Sequence, residues 1–315
     1  MDNNNNKLIM YNLIIIGGGP AGVSAGVYAA RKKLKTLFIT LEFGGQSVVS
    51  EGIENWIGTI KIPGADLAKN LKDHLLAYAD KSVLVKEGEK VLDIQKSADI
   101  FTVSTDKEKY KTKTILITTG SHRRKLEIPG AKEFDNKGLT YCASCDGPLF
   151  ADQDVAVVGG GNAALETAAQ LLAYCRSVTI LNRTEELRGD EVTIEKLKKN
   201  PKLTIIKNAI PIQIKGSTFV TGIVYEDAVS KKKQELPITG IFVEIGLLPT
   251  TDFVKNIIKL NKYNQIPIDS RNQKTEVLGV WAAGDCTDTL YHQNNIAAGD
   301  AVRALEDIYV HIHTK

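Results

Sequence analysis

Long apolar runs are missing from this chain. No stretch approaches the roughly 18 consecutive apolar residues that a membrane helix needs, so no membrane span is expected. The opening Met1-Asp-Asn-Asn-Asn-Asn-Lys7 lacks the apolar core of a signal peptide and reads as a polar tail. Cysteine is scarce as well. Four cysteines in 315 residues are too few for a secreted disulfide framework and suit a reducing cytosol, so a cytoplasmic location is expected. Cys175 and Cys286 are isolated and the five histidines form no matching pair, which leaves no second half for a four-ligand zinc site; no metal is expected. Neither sign of charge is in excess. Forty Lys and Arg against 37 Asp and Glu give a net +3, which argues against a nucleic-acid face and allows at most mild steering of acidic partners.

Glycine is concentrated where it matters. Gly17-Gly18-Gly19-Pro20-Ala21-Gly22 follows the apolar run Leu13-Ile14-Ile15-Ile16 and precedes a small-residue stretch, a strand, tight turn and helix. The first glycines let the backbone turn and approach a pyrophosphate, and the last lets helix and strand pack closely. The helix start then offers unpaired N–H groups to an anion. A second loop, Gly159-Gly160-Gly161-Asn162-Ala163-Ala164, follows the strand-like Val155 to Val158, with Ala164 where a third glycine would stand. Thr40 lies 23 positions after Gly17 and Asn182 lies 23 after Gly159, and each interval ends a second strand, Leu34 to Thr40 and Val178 to Asn182. Two dinucleotide-binding units are the economical reading; a duplicated fold with one site lost is its rival.

Between the loops lies Tyr141-Cys142-Ala143-Ser144-Cys145-Asp146. A Cys-X-X-Cys pair closes a small disulfide ring, supplies half a metal site, or is inert. Asp146, adjoining the second cysteine, can pass a proton to or from a thiolate, although an Asp before Gly147-Pro148 also serves as a turn or helix-cap residue. Residues Asp66 to Asp80 read as an amphipathic helix with Leu67, Leu71, Leu75 and Tyr78 on its packing stripe; His74 within it reads as surface or core, not as a ligand.

In order and spacing, the first loop, Gly44-Gly45-Gln46, Ile53-Glu54-Asn55-Trp56, Thr119-Gly120, the Cys142 to Asp146 segment, the second loop and Ala282-Ala283-Gly284-Asp285-Cys286 resemble the low-molecular-weight thioredoxin reductases. They are similar also to the reductase half of the alkyl hydroperoxide reductase flavoprotein, which Cys145 to Phe150 and Gly240 to Pro249 resemble most. The resemblance covers nearly the whole chain. With Met1 only 16 residues before Gly17, that flavoprotein's extra N-terminal dithiol domain is expected to be absent and any dithiol relay to be a separate protein.

The resemblance implies an α/β fold of two Rossmann-like dinucleotide-binding domains of the three-layer ββα type, the second inserted into the first. The FAD domain would comprise residues 1–120 and 249–315, and the NAD(P)H domain, carrying the redox pair, 121–248. FAD is expected at Gly17, Gly19, Ala21, Gly22, Gly45, Gln46, Asn55, Thr119, Gly120, Gly284, Asp285 and Gln293. His292 departs from the arginine common in the family, and no acid ends the strand at Thr40, Glu42 being nearest. NADPH is expected at Gly159, Gly161, Asn162, Ala163, Ala164, Arg183 and Arg188, because arginine at a strand end favours a 2'-phosphate. Thr184 replaces the second arginine of the family pair and Glu185 and Glu186 are close, so NADH stays possible; loop arginines are also often simply solvated.

As the resemblance has it, electrons pass from NADPH through FAD to the Cys142–Cys145 disulfide and on to thioredoxin or a similar dithiol protein. Cys145 would be the thiol nearest the flavin, Cys142 the one that attacks the partner, and Asp146 the acid and base. A homodimer is expected on the same ground. An NADH-dependent reductase of a peroxiredoxin-linked dithiol carrier is the first rival; an FAD-dependent dithiol oxidase and a ferredoxin-fed reductase are others, but neither of these two needs an intact second loop. A dithiol on the nucleotide domain would have to alternate with nicotinamide at the flavin, which implies rotation of one domain against the other. Crosslinking the domains through the segments near 120 and 248 is then expected to stop steady-state disulfide reduction. A crosslinked enzyme with full activity rules the alternation out.

Overall fold

β-Branched and leucine side chains after residue 10 favour extended backbone, and they form the central strand β1 (Met10–Gly18). In chain order α1 (Pro20–Arg31), β2 (Thr36–Phe43), α2 (Gly64–Tyr78), β3 (Val83–Glu87), β4 (Val91–Ser97), β5 (Ile100–Thr105) and β6 (Lys109–Ile117) follow, and β7 (Ser121–Arg123) leads out. Next come β8 (Leu139–Thr140), α3 (Ala143–Asp146), β9 (Asp154–Val158), α4 (Asn162–Leu171), β10 (Ser177–Leu181), α5 (Glu191–Lys198), β11 (Leu203–Ile206), β12 (Ala209–Gly216), β13 (Val220–Asp227), β14 (Lys233–Pro237) and β15 (Gly240–Val243). The chain returns through β16 (Leu247–Pro249) to β17 (Val280–Ala282) and α6 (Asn294–His313). The computed structural model describes residues 9–50, 52–141 and 143–314, without the side chains of Val49, Ser144 and Cys145. Cys142 and the Cys145 thiol, the expected redox pair, therefore lie outside the described residues.

The chain divides into two units, Met1–His122 with Leu248–Lys315, and Arg123–Leu247. In the first, β3, β2, β1, β6 and β17 make a parallel sheet, and β4 and β5 join the other end of β6 as an antiparallel meander. α1, α2 and α6 cover one face, where Leu13, Ile15, Phe38, Leu75 and Trp281 are buried. The meander covers the other, over Ile14, Ile16, Leu37, Ile39 and Ile115. Strands covered on both faces need the continuous apolar runs that were read from the sequence.

The second unit repeats the plan. Its parallel sheet runs β11-β10-β9-β15-β8, with Val155, Val157 and Phe242 packed among residues of α4 and α5. Ala156, Val158 and Ile241 pack among residues of the antiparallel β12-β13-β14 sheet. Both units are thus α/β with a nucleotide-type parallel sheet, helices on one side and a small antiparallel layer on the other.

Several element ends differ from the reading of the sequence; β10, for one, ends at Leu181 and not at Asn182. β2 continues to Phe43, beyond Thr40, because its end pairs with the extended Gly18 stretch of β1. α2 starts at Gly64 and ends at Tyr78, and while Leu67, Leu71 and Leu75 are buried, Tyr78 is exposed beneath Arg31 and beside the exposed His74. Small residues on α1 let it lie tight on the sheet: a methyl at Gly22 would collide with the Gly17 carbonyl oxygen and crowd Thr118. Gly22→Ala is accordingly expected to lower stability by about 1–3 kcal/mol, checked by thermal unfolding of wild-type and variant apoprotein; an unchanged midpoint would mean that the loop has slack.

Candidate functional site

At the carboxyl end of β1 the chain turns through Gly17 with φ +119°, a conformation that L side chains rarely adopt, and passes so close to the Thr118 carbonyl that no Cβ fits. Gly19 is the N-cap of α1 and offers no side chain, and Pro20 occupies the first turn, so the helix presents free backbone amides. Anions are bound by such a terminus through the amides and the helix dipole together.

These amides face a cavity of about 710 Å³ within the first unit, inside the range of roughly 300–1,000 Å³ typical of small-molecule sites. Gly17, Gly19, Ala21, Gly45, Gln46, Thr119, Gly120, Gly284 and Asp285 line it. Gly22 sits behind the loop, as the packing glycine. Asn55 and Gln293 are brought together instead of onto this wall, the Asn55 amide donating to the Gln293 side-chain oxygen at 3.0 Å. A chamber walled by a Cβ-intolerant glycine loop and a helix start fits the pyrophosphate of a dinucleotide, so the residues suit FAD.

The wall also holds residues that were not singled out from the sequence: Thr40, Ser47, Glu89, Lys90, Ser121, His122, Thr250 and Asn294. Glu42 lines it too, and its position corrects the expectation that no acid ends the strand: β2 runs far enough to carry an exposed carboxylate into the cavity. Reading the alternation of Leu37 to Phe43 as one strand would have found it. No local pattern marked Glu89, which is buried and accepts from the Thr105 hydroxyl at 2.6 Å and the Tyr110 hydroxyl at 2.8 Å. Burial first, and Glu89 second, push the Tyr110 phenol far up.

Asp285 is half-buried. Burial raises its carboxyl above the ordinary value, opposed by the His292 imidazole, whose buried Nε2 has no hydrogen-bond partner. Cys286 next to it is fully buried, its thiol facing the Ile117 and Ala283 carbonyls and pushed up to about 11 chiefly by burial. Such a thiol is packing, not a reagent. Cys175 in the second unit is likewise buried and raised to about 11.

In the second unit the same local geometry recurs. Gly159 has φ +145° and lies against the Glu244 carbonyl, Gly161 is the N-cap of α4 without a side-chain cap, and Ala164 is buried beneath the turn. Asn162 and Ala163 are exposed at the helix start. The following strand, β10, ends at Leu181, one residue before the expected Asn182, whose amide donates to the Thr184 and Glu186 carbonyls and so shapes the 183–187 loop. Two bonds clamp that loop to the glycines: Arg188 N–H to the Gly160 carbonyl at 2.7 Å, and Asp190 N–H to the Asn162 side-chain oxygen at 2.7 Å. Arg183 and Arg188 are exposed there. Glu185 is drawn aside by Lys207 at 2.7 Å and Asn208 at 2.8 Å, and the Lys207 bond lowers its carboxyl.

The dithiol segment follows β8. Ala143–Asp146 forms one helical turn, and the Thr140 hydroxyl donates to the Asp146 carboxylate. Arg123 bonds the Tyr141 carbonyl, on the peptide before Cys142, and also Glu244. Among the described residues no cluster of three or more His, Cys, Asp or Glu could hold a metal, and no helix is long and apolar enough to cross a membrane.

Comparison with known proteins agrees with this geometry. Residues 11–301 match the model of the family described as pyridine nucleotide-disulphide oxidoreductase. A Bacillus subtilis protein named NADH dehydrogenase is 38% identical over 93% of this chain and 57% of its own length. A Staphylococcus epidermidis protein named as one component of alkyl hydroperoxide reductase is 37% identical over 96% of this chain and 59% of its own. The chain thus spans a little under three fifths of the length of these curated relatives. Among solved structures, Lactococcus lactis thioredoxin reductase superposes with a TM-score of 0.87 at 33% identity, covering 97% of this chain and all of that one. Thioredoxin reductase from T. acidophilum gives 0.84 at 33% identity over 96% and 98%. With two glycine-loop units of one plan and a family match over nearly its whole length, this chain belongs to the pyridine nucleotide-disulphide oxidoreductase family.

Proposed function

We propose that the chain is an FAD-dependent, NADPH-fed reductase of a protein disulfide, carried by thioredoxin or a similar small dithiol protein. The observation that carries this reading is the pairing of two uncapped helix starts, each beside a glycine loop, with the Cys142-to-Asp146 segment on the second unit. FAD in the first-unit cavity would supply a ring that accepts hydride from nicotinamide and returns two electrons to a disulfide. Over one full turnover, NADPH, one proton and a protein disulfide become NADP⁺ and a protein dithiol.

The residues divide the work. α1 amides and the Gly17–Gly19 turn would hold the pyrophosphate, Glu42 at the end of β2 the adenosine ribose hydroxyls, and Asp285 with Thr119 and Gly120 the remaining chain of the dinucleotide. Asp146 would hold and release the proton at the dithiol, its carboxylate oriented by the Thr140 hydroxyl. In the second unit α4 amides would take the nucleotide pyrophosphate. NADPH is favoured because Asn182, not an acid, follows β10, and because Lys207 pairs with Glu185, so that the exposed Arg183 and Arg188 outnumber the exposed Glu186 in this loop. An NADH-dependent reductase is the second reading, favoured by the name NADH dehydrogenase that the Bacillus subtilis relative carries.

Anaerobic mixing with NADPH and separately with NADH, followed at the visible flavin band, is the direct test. Rapid bleaching by NADPH is expected, and Arg183→Ala with Arg188→Ala should raise its KM about tenfold while leaving that for NADH unchanged. Bleaching by NADH alone selects the second reading, and bleaching by neither rejects both. Asp285 gives an independent check. Its folded pKa is raised, so the charged carboxyl costs stability once pH exceeds the unfolded value of 3.8. Asp285→Asn apoprotein should therefore unfold about 2–4 °C higher than wild type at pH 7, with the gain vanishing below pH 4, and should retain less FAD; equal melting at both pH values contradicts this.

A further inference from the structure

Glu244 follows β15 and stands level with the second glycine loop. Its amide donates to the Val158 carbonyl at 2.8 Å, and its own carbonyl is what a side chain at Gly159 would meet. β9 lies between β10 and β15 in the sheet, so the topology departs in opposite directions from this point. Parallel sheets take their ligands in the crevice at such a switch. Arg183 and Arg188 follow β10, so the adenosine end of a nucleotide belongs on that side of the loop, and the other end is directed over β15, where Glu244 is.

The carboxylate is held for use. Its side chain is 10% exposed, and Oε1 accepts from Arg123 at 2.9 Å and from the Thr167 hydroxyl at 2.9 Å. A carboxylate withdrawn from water needs an opposing charge and hydrogen bonds. Arg123, itself fixed on the Tyr141 carbonyl, supplies the charge. Both bonds fall on the same oxygen, so Oε2 keeps its acceptor capacity. The nicotinamide riboside presents donors that suit it, two ribose hydroxyls and a carboxamide NH₂, on a ring that is cationic when oxidised.

We propose that Glu244 is a specificity-determining residue for the nicotinamide riboside half of the pyridine nucleotide, with Arg123 and Thr167 positioning its carboxylate. This rests on the second unit being a pyridine-nucleotide site. The test is isothermal titration of the purified full chain with NADP⁺ and with 2',5'-ADP, which keeps the adenosine phosphates and lacks nicotinamide riboside. In Glu244→Gln the Kd for NADP⁺ should rise about tenfold while that for 2',5'-ADP stays within about twofold. Retained 2',5'-ADP binding also reports an intact loop. Thr167→Val should produce a smaller loss with the same ligand selectivity. The assignment is overturned if Glu244→Gln binds both ligands as wild type does, or loses both alike. Wild-type protein that binds neither of these ligands nor NAD⁺ removes the pyridine-nucleotide reading together with this one; if it binds NAD⁺ alone, the same comparison is made with NAD⁺ and 5'-AMP, and failure confined to Glu244→Gln leaves that reading standing.

Discussion

A helix that begins without a cap leaves several backbone amides with no partner, and a folded chain tolerates this only where water or a ligand can supply one. α1 and α4 both begin this way, behind Gly19 and Gly161, at the carboxyl ends of the central strands of two parallel sheets. α5 shows that the chain can cap a helix when nothing is to be bound there: Asp190 accepts from the Thr193 amide at 3.0 Å. α2 and α6 also begin without a side-chain cap, so what sets α1 and α4 apart is the placement of their open starts beside a glycine turn at a strand end. It also explains the small residues beneath them, because a terminus aimed at a ligand requires the helix to approach the sheet more closely than ordinary side chains permit.

The same requirement has a stability cost elsewhere. Asp285 is a carboxyl raised by burial beside a cavity, and His292 answers it only in part, with one ring nitrogen left unsatisfied. Glu244 is nearly as enclosed, but Arg123 and Thr167 compensate it. Buried polar groups that are incompletely paired lower stability and mark places where a ligand can complete the set. By that measure the wall near Asp285 is under-satisfied, and the described residues around Glu244 are largely satisfied with one acceptor in reserve.

Local pattern in the sequence carried the glycine turns, the apolar central strands and the α2 stripe through Leu67, Leu71 and Leu75, since each depends on residues within a few positions of one another. Failures came where tertiary pairing decided. β2 outruns Thr40 because β1 holds its end, and that extension puts Glu42 in the cavity wall. Tyr78 belongs to the helical stripe by period, yet it lies on the last turn, beyond the cover that buries Leu75, and meets Arg31 instead. Asn55 and Gln293 are 238 residues apart, and nothing in either neighbourhood announces that they bond to each other. Arg123 and Glu244 are 121 apart and equally silent in the sequence. Motifs expose what the backbone must do locally; they do not expose which distant side chains are brought to the same strand end.

Two units built on one plan differ most at that strand end, and the difference is electrostatic. Behind the first loop the second strand delivers Glu42, an acceptor suited to a ribose hydroxyl and repelled by a phosphate. Behind the second loop Asn182, the counterpart of Thr40, turns its amide inward to shape the loop, and Arg183 and Arg188 are exposed beyond it together with Glu186. The Glu185–Lys207 pair matters here because an unpaired Glu185 would offset one of those arginines, whereas a paired one adds little to the local field. A single repeated backbone device thus supplies affinity for pyrophosphate in both units, and the identity of a few side chains one strand away separates what each unit can hold.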